Sequence, residues 1–431
     1  MKRKLYETLI SWKNNNVNMP LMVVGARQIG KTYIIDKFCK ENFSEYLYIN
    51  LDKEKNVVEI FERTIDPDEI IRQIELIKNR KINVEETVIF FDEIQVSEKA
   101  IASLKYFCES ELNYKIICAG SLLGVKINRF HSSFPVGKVL IHTMYPMDFE
   151  EFLWAIDKEM WANEIRKCYK NLEPTLIHDK LMDLYRYYLC VGGMPASILE
   201  FKKTECNMIS YNPEILESII TSYLADMNKY TLNNRESVKI ENVYNCIPKQ
   251  LGKPDKKFRY ALLEKGASKN MYESSIEWLT ASNMVYRCNL LEKIELPLKP
   301  YESQKAFKLY YSDTGILAIA SQLPYSSILL NQEMIFKGVI AENYVATQLR
   351  ANKIPLYYWC SGNEAELDFI INTIDGIIPI EVKASENTQA KSLKVYMEKY
   401  KPSYGIRVSG KNFGFTNNVK SIPLYAVFCI E

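Results

Sequence analysis

The chain has 431 residues, 47% of them apolar and 25% charged, with a formal net charge of +2; that length exceeds one ordinary core and calls for several domains of ~100–200 residues each. The near-neutral balance excludes recognition of nucleic acid by a global excess of positive charge and leaves only local basic patches. The ten cysteines form no C-x-x-C pair, Met1–Leu9 lacks a leader's apolar stretch, and no window nears the ~18 consecutive apolar residues of a membrane span, so reduced thiols, a cytoplasmic location and no membrane insertion are expected.

A helix around Lys4–Lys13 is followed by the apolar strand Leu21–Val24, a glycine loop and a helix over Lys31–Lys40. Further strands are predicted at Tyr46–Asn50, Thr87–Asp92, Lys115–Ala119 and Val139–Thr143. Each is short, rich in β-formers and ends in polar or small residues, the pattern of buried parallel strands joined by helical crossovers. Residues 1–150 are therefore expected to form a doubly wound α/β domain.

Gly25-Ala26-Arg27-Gln28-Ile29-Gly30-Lys31-Thr32 fills the pattern G-x-x-x-x-G-K-[ST] between a strand and a helix, as a phosphate-binding P-loop requires. The glycines let the backbone curl until its N–H groups face phosphate oxygens; Lys31 then reaches the β- and γ-phosphates of ATP and Thr32 ligates Mg²⁺. A turn that merely joins strand to helix is the plain alternative. The strand Val88–Asp92, read as a neighbour of the first, runs into Glu93. Its two acids suit the two needs of the chemistry, Asp92 holding the metal's water shell and Glu93 polarising the attacking water.

From Met147 the rhythm becomes helical and aromatic-rich, broken by Gly192-Gly193-Met194-Pro195; residues 151–240 read as a helical lid or connector. In residues 241–310, three short helices at Ile247–Leu251, Phe258–Leu263 and Ser274–Met284 precede a β-ribbon starting at Val285–Cys288, an order resembling a winged helix-turn-helix. Lys249, Lys253, Lys256, Lys257, Arg259 and Lys265 lie there, interleaved with Phe258 and Tyr260. Such a surface neutralises DNA phosphates, and winged helices equally serve as protein-docking modules. Asp313, in Tyr310–Gly315, reads as a helix N-cap.

Residues 311–431 return to α/β, with a helix carrying Glu342, strands at Leu356–Trp359, Glu366–Asn372 and Ile377–Lys383, and a terminal strand near Pro423–Cys429. Helix acid, strand acid and Glu-x-Lys on the next strand resemble the PD-(D/E)-x-K core of restriction-endonuclease-like nucleases. That resemblance implies Mg²⁺ held by Asp368 and Glu381, a shell completed by Glu342, and Lys383 activating water beside the scissile phosphate. Period-two alternation puts Glu381 and Lys383 on one face. The fold also survives in proteins that no longer cleave.

The P-loop, Asp92-Glu93-Ile94-Gln95, Ala119-Gly120-Ser121, Tyr145–Phe152 and Gly192–Pro195 together resemble a large prokaryotic family of AAA+ ATPases with a C-terminal domain of unknown function, over nearly the whole chain. The resemblance implies that Ser121 senses the γ-phosphate and that Arg129 serves as an arginine finger toward a neighbouring copy in a homo-oligomer. Lys138 departs from the Arg that similar proteins often carry after Gly. The expected protein is an AAA+ ATPase that associates with DNA and carries a Mg²⁺-dependent nuclease domain. The alternatives are a signalling or scaffold ATPase with an inert C-terminal site, and a DNA-binding ATPase without cleavage.

Overall fold

The computed structural model describes residues 1–15, 18–121, 134–229, 231, 234–332, 336–362, 364–384 and 391–431. They form two compact units: Lys2–Tyr145 with Ala281–Asn283, and Met1, Pro146–Thr280 and Met284–Glu431.

The first unit is built on β1 (Leu21–Val24), β2 (Glu45–Asn50), β3 (Thr87–Asp92), β4 (Lys115–Gly120) and β5 (Leu140–Thr143). Their order is β2-β3-β4-β1-β5, with every pairing parallel. Parallel strands covered on both faces must be apolar along their whole length, and all six residues of β3 are buried. Ile89 and Phe91 of that strand share a core with Val57 and Phe61 of the helix Lys55–Arg63 and Ile101 and Leu104 of the helix Glu98–Glu109. Each such side chain contributes ~1.5–3 kcal/mol by leaving water. Helix starts are set locally: Ser97 Oγ accepts from Ala100 N at 3.1 Å, and Asp66 caps a helix whose first residue is Pro67.

In the second unit, the helices Phe149–Ala155, Glu159–Asn171, His178–Val191, Pro195–Lys203, Glu214–Lys229 and Asn234–Leu251 come first. The helix Lys269–Ala281 then leads to β6 (Val285–Leu291) and β7 (Glu302–Tyr311). After the helices Thr314–Ala320, Tyr325–Leu329 and Lys337–Ala351 come β8 (Tyr357–Ser361), β9 (Ala365–Thr373) and β10 (Gly376–Val382). The helix Lys391–Tyr400 precedes β11 (Gly405–Ser409), β12 (Gly414–Thr416) and β13 (Val419–Pro423). The eight strands form one mixed sheet in the order β12-β13-β11-β10-β9-β8-β6-β7.

Three expectations change here. The segment Ile247–Leu251 is the end of a longer helix, and Phe258–Leu263 contributes only the 3₁₀ turn Tyr260–Leu262. The β-ribbon forms, yet β6 also pairs in parallel with β8 through Asn289↔Tyr357 and Leu290↔Tyr358. Hydrogen bonding thus runs across the expected boundary at 310, and the segments separated at 240 and 310 belong to one compact unit. The expected strand Pro423–Cys429 is instead the 3₁₀ helix Leu424–Cys429, buried in all six residues. A continuous apolar run has no alternation with which to tell strand from buried helix. Asn352 Nδ2 donates to Phe428 O at 2.8 Å and to Ile430 O at 2.7 Å, satisfying carbonyls at its end.

The Gly192–Gly193 turn is explained by close approach. Gly192 has φ +72°, and a Cβ on it would lie 2.2 Å from Asp313 Oδ1; one on Gly193 would lie 2.1 Å from Met147 O. Asp313 caps the helix Thr314–Ala320 as expected, its Oδ1 accepting from Ile316 N at 2.9 Å and its Oδ2 from Gly193 N at 2.5 Å. Burial pushes its carboxyl up to about 6, against the lowering effect of these N–H donors. Asp313→Ala removes a cap and leaves the Gly193 N–H without its acceptor, so we expect a loss of about 2–4 kcal/mol in urea unfolding, partly recovered in Asp313→Asn.

Candidate functional site

Three neighbouring strands, β3, β4 and β1, deliver their carboxyl ends to one rim of the first sheet, where open α/β sheets bind ligands. Beyond β1 the loop takes left-handed backbone at Gln28 (φ +61°) and Gly30 (φ +90°), and Gly25 sits at φ +145°. A Cβ on Gly25 would fall 2.2 Å from Met144 O, so only glycine lets the loop pass. Ala26 and Ile29 bury their side chains, so their part in the site is played by backbone. Gly30 starts the helix Lys31–Asn42 without a side-chain cap, leaving first-turn N–H groups available to an anion.

Lys31 is 8% exposed, and its Nζ donates to Gly25 O at 2.9 Å and Ala26 O at 2.7 Å. Burial pushes its ammonium down to about 8; the Glu93 and Asp92 carboxylates pull it up and the Arg27 guanidinium pushes it down again. Thr32 Oγ1 donates to Asp92 Oδ2 at 3.0 Å. β4 stands between β1 and β3, so the acidic strand is not the direct neighbour expected from sequence, and this bond links elements two strands apart. Ser121, buried at the end of β4, accepts from Arg27 Nε at 3.3 Å. Gly25–Thr32, Asp92, Glu93 and Ser121 thus converge at one rim. Arg129 lies outside the described residues.

Three further side chains contribute to the site without having been assigned a role from sequence. Arg3, 5% exposed, donates through Nη1 to Ile29 O at 2.6 Å and through Nη2 to Tyr145 O at 2.7 Å, tying the loop to the segment after β5. It stands 26 residues before its partner in a stretch that reads as ordinary basic surface. Tyr48 donates its hydroxyl to Asp92 Oδ2 at 3.0 Å, and Gln95 donates its amide to Glu93 Oε2. Gln95 could have been noticed inside the Asp92–Gln95 run; strand alternation alone does not mark Tyr48.

The acids of the second unit do not assemble as expected. Glu342 is 1% exposed on the helix Lys337–Ala351. Its Oε1 accepts from Lys308 Nζ at 3.1 Å and from the Tyr310 hydroxyl, and its Oε2 from Lys256 Nζ. Lys308, fully buried on β7, also reaches Glu366 Oε1 at 2.6 Å. Against the upward push of burial, the Lys256 and Lys308 ammonium groups hold the Glu342 carboxyl well below the usual range. Burial first, and then the Glu342 carboxylate, pushes Asp368 up to about 7; its Oδ2 accepts from Val382 N at 2.8 Å. Glu381 has a separate set of partners, Lys383 Nζ at 2.8 Å and Leu393 N at 3.3 Å.

Among the described residues no three His, Cys, Asp or Glu side chains converge to hold a metal ion. The metal role expected for Glu342, Asp368 and Glu381 does not fit the residues as arranged: lysine ammonium groups take oxygens of Glu342 and Glu381, and Asp368 Oδ2 accepts from the Val382 N–H. The basic segment is also thinner than its sequence: Lys256 is drawn inward to Glu342, and Arg259 pairs with Asp255 at 2.7 Å. No helix among the described residues is long and apolar enough to cross a membrane.

Residues 17–153 match the family model of an AAA domain. Residues 182–327 and 337–427 match two further models, Domain of unknown function (DUF8612) and Domain of unknown function (DUF4143). No curated protein matches the chain in sequence. The Walker-type ATPase of Pyrococcus abyssi is 13% identical, with 74% of this chain and 95% of that one covered and a TM-score of 0.47. The ORC2 protein of Aeropyrum pernix is 12% identical over 80% and 94%, TM-score 0.36, and Drosophila ORC bound to DNA is 13% identical over 74% and 94%, TM-score 0.29. At such scores these likenesses carry no argument. The family match and the P-loop both fall on the segment that builds the first unit's sheet.

Two outcomes are expected. Below pH about 8 Lys31 carries its charge, whereas above it nucleotide binding must draw in a proton. The Kd for ATP should therefore rise between pH 8 and 9.5 by up to about tenfold per unit, with a buffer-dependent heat in calorimetry. Glu342→Gln strands two lysines without their counter-charge, and should cost about 3–5 kcal/mol in urea unfolding, equally in Mg²⁺ and in EDTA.

Proposed function

We propose that the protein hydrolyses ATP in its first unit and uses the turnover to control partner binding by the second. The observation that carries this is the 3.0 Å bond from Thr32 Oγ1 to Asp92 Oδ2 across the end of β4. It brings together the hydroxyl and the carboxylate that a phosphate-bound Mg²⁺ requires, beside a buried lysine and an uncapped helix N-terminus. Backbone N–H groups of Gly25–Thr32 grip the phosphates, Lys31 draws charge from the β- and γ-oxygens, and Thr32 and Asp92 hold the cation with its water. When bound, Mg²⁺ supplies positive charge against the phosphate oxygens. Glu93 takes the proton of the attacking water, Ser121 donates to the γ-phosphate, and Arg129 of a neighbouring copy stabilises the charge that develops.

The second unit is proposed as a binding module that does not cleave, on the ground of the lysine-filled Glu342 centre. DNA is the proposed partner, supported by the exposed Lys249 and Lys265 and the half-buried Lys253 and Lys257. The withdrawal of Lys256 favours a second reading, a signalling or scaffold ATPase that binds protein.

One preparation tests these points. ATP turnover should be present and should vanish in Lys31→Ala; turnover retained in that variant refutes the site. Linear, branched and single-stranded DNA should stay intact in Mg²⁺ and Mn²⁺, and nicking that disappears in Lys383→Ala would restore the nuclease reading. DNA binding should weaken steeply with salt, and its absence would favour the protein-binding reading. Light scattering should show ATP-dependent assembly; an oligomeric state indifferent to ATP would remove Arg129 from its role in a neighbouring site.

A further inference from the structure

Glu93 does not continue β3. Its backbone turns into the left-handed region at φ +54° and caps the 3₁₀ turn Ile94–Val96. For a side chain other than glycine this conformation costs ~1–2 kcal/mol, and strain of that kind persists where the surroundings fix it for use. Here the fixing is visible: Glu93 N donates to Asp92 Oδ1 at 3.0 Å, and Val96 N donates to Glu93 O at 3.0 Å. The turn keeps the side chain at the site, since the Glu93 carboxylate acts on the Lys31 ammonium together with that of Asp92.

The carboxylate itself is held from behind. Gln95 is fully buried, and its Nε2 donates to Glu93 Oε2. Among the described residues Glu93 Oε1 accepts no hydrogen bond, so one oxygen is anchored and the other is left without a protein donor. A buried amide is costly unless its donors are used, and this one is used on the group that must aim at water. A residue serving only the core would satisfy its amide on backbone and leave Glu93 to rotate.

Building on the ATPase reading above, we propose that Gln95 is a positioning residue for hydrolysis: its amide fixes Oε2 of Glu93 and so directs Oε1 at the attacking water. Gln95→Met keeps the length and shape of the side chain and removes the donor. We expect kcat to fall by about 10- to 100-fold, the scale on which misplaced catalytic groups cost rate. The KM for ATP and the Kd for a non-hydrolysable ATP analogue should stay within about twofold, because the phosphate grip is untouched. In a Glu93→Ala background Gln95→Met should lower kcat no further, since the group it positions is gone.

A kcat within about twofold of wild type in Gln95→Met, or an equal further fall in the Glu93→Ala background, would overturn the proposal. If Gln95→Met loses analogue binding or its cooperative melt, Gln95→Glu is read by the same two criteria, since it keeps the shape and loses the amide. Wild-type protein that does not turn over ATP defeats the ATPase reading itself, a result distinct from turnover that is indifferent to residue 95.

Discussion

A single oxygen, Oδ2 of Asp92, accepts from Thr32 at the start of a helix and from Tyr48 on β2, each at 3.0 Å. Both bonds demand that β2, β3 and the start of the helix Lys31–Asn42 keep one height. Asn50 pairs with Asp92 across β2 and β3, while Val24 pairs with Gly120 across β1 and β4. A slip of one residue in β3 would move the carboxylate by ~3.3 Å and turn it to the other face of the sheet. The apolar packing of Ile89 and Phe91 therefore does more than stabilise the unit: by fixing the register it fixes the distance between the Gly25–Thr32 loop and the Asp92 carboxylate.

Much of this was legible because it is local. The loop, the two acids and the short apolar strands are each contained in fewer than ten consecutive residues, and strand–loop–helix order supplied their context; β1 and β3 begin and end where the pattern placed them. Arg3, Tyr48 and Gln95 escaped because their roles exist only through partners elsewhere in the chain or through a backbone turn that no spacing announces. The segment Leu424–Cys429 escaped for a different reason: it is buried on all sides, and burial on all sides erases periodicity.

The second unit shows how a spacing can be filled while its geometry differs. Glu342, Asp368, Glu381 and Lys383 occupy the expected places in chain order, and Glu381 does pair with Lys383. What the spacing could not convey is that Lys256, from the segment read as a DNA surface, and Lys308, from the middle of β7, would come to rest on Glu342. A buried carboxylate flanked by two ammonium groups stabilises the fold less than apolar packing would, yet it strongly penalises arrangements in which any partner is missing. In this chain it ties β7, the loop at Lys256 and the helix Lys337–Ala351 into one arrangement.

The second unit is also stitched between residues far apart in the chain. Asn412 and Thr175 exchange two hydrogen bonds of 2.9 and 3.1 Å, His178 Nδ1 lies 2.9 Å from the Tyr425 hydroxyl, and Asn352 holds carbonyls at 428 and 430. During synthesis the helices from Phe149 to Leu251 leave the ribosome with their apolar faces bare, awaiting partners that include a buried 3₁₀ turn translated well over a hundred residues later. The nucleotide-binding sheet, complete by Thr143, has no such wait. Newborn chains should consequently pass through a stage with an assembled P-loop beside an unclosed helical half, the form most exposed to chaperones and proteases.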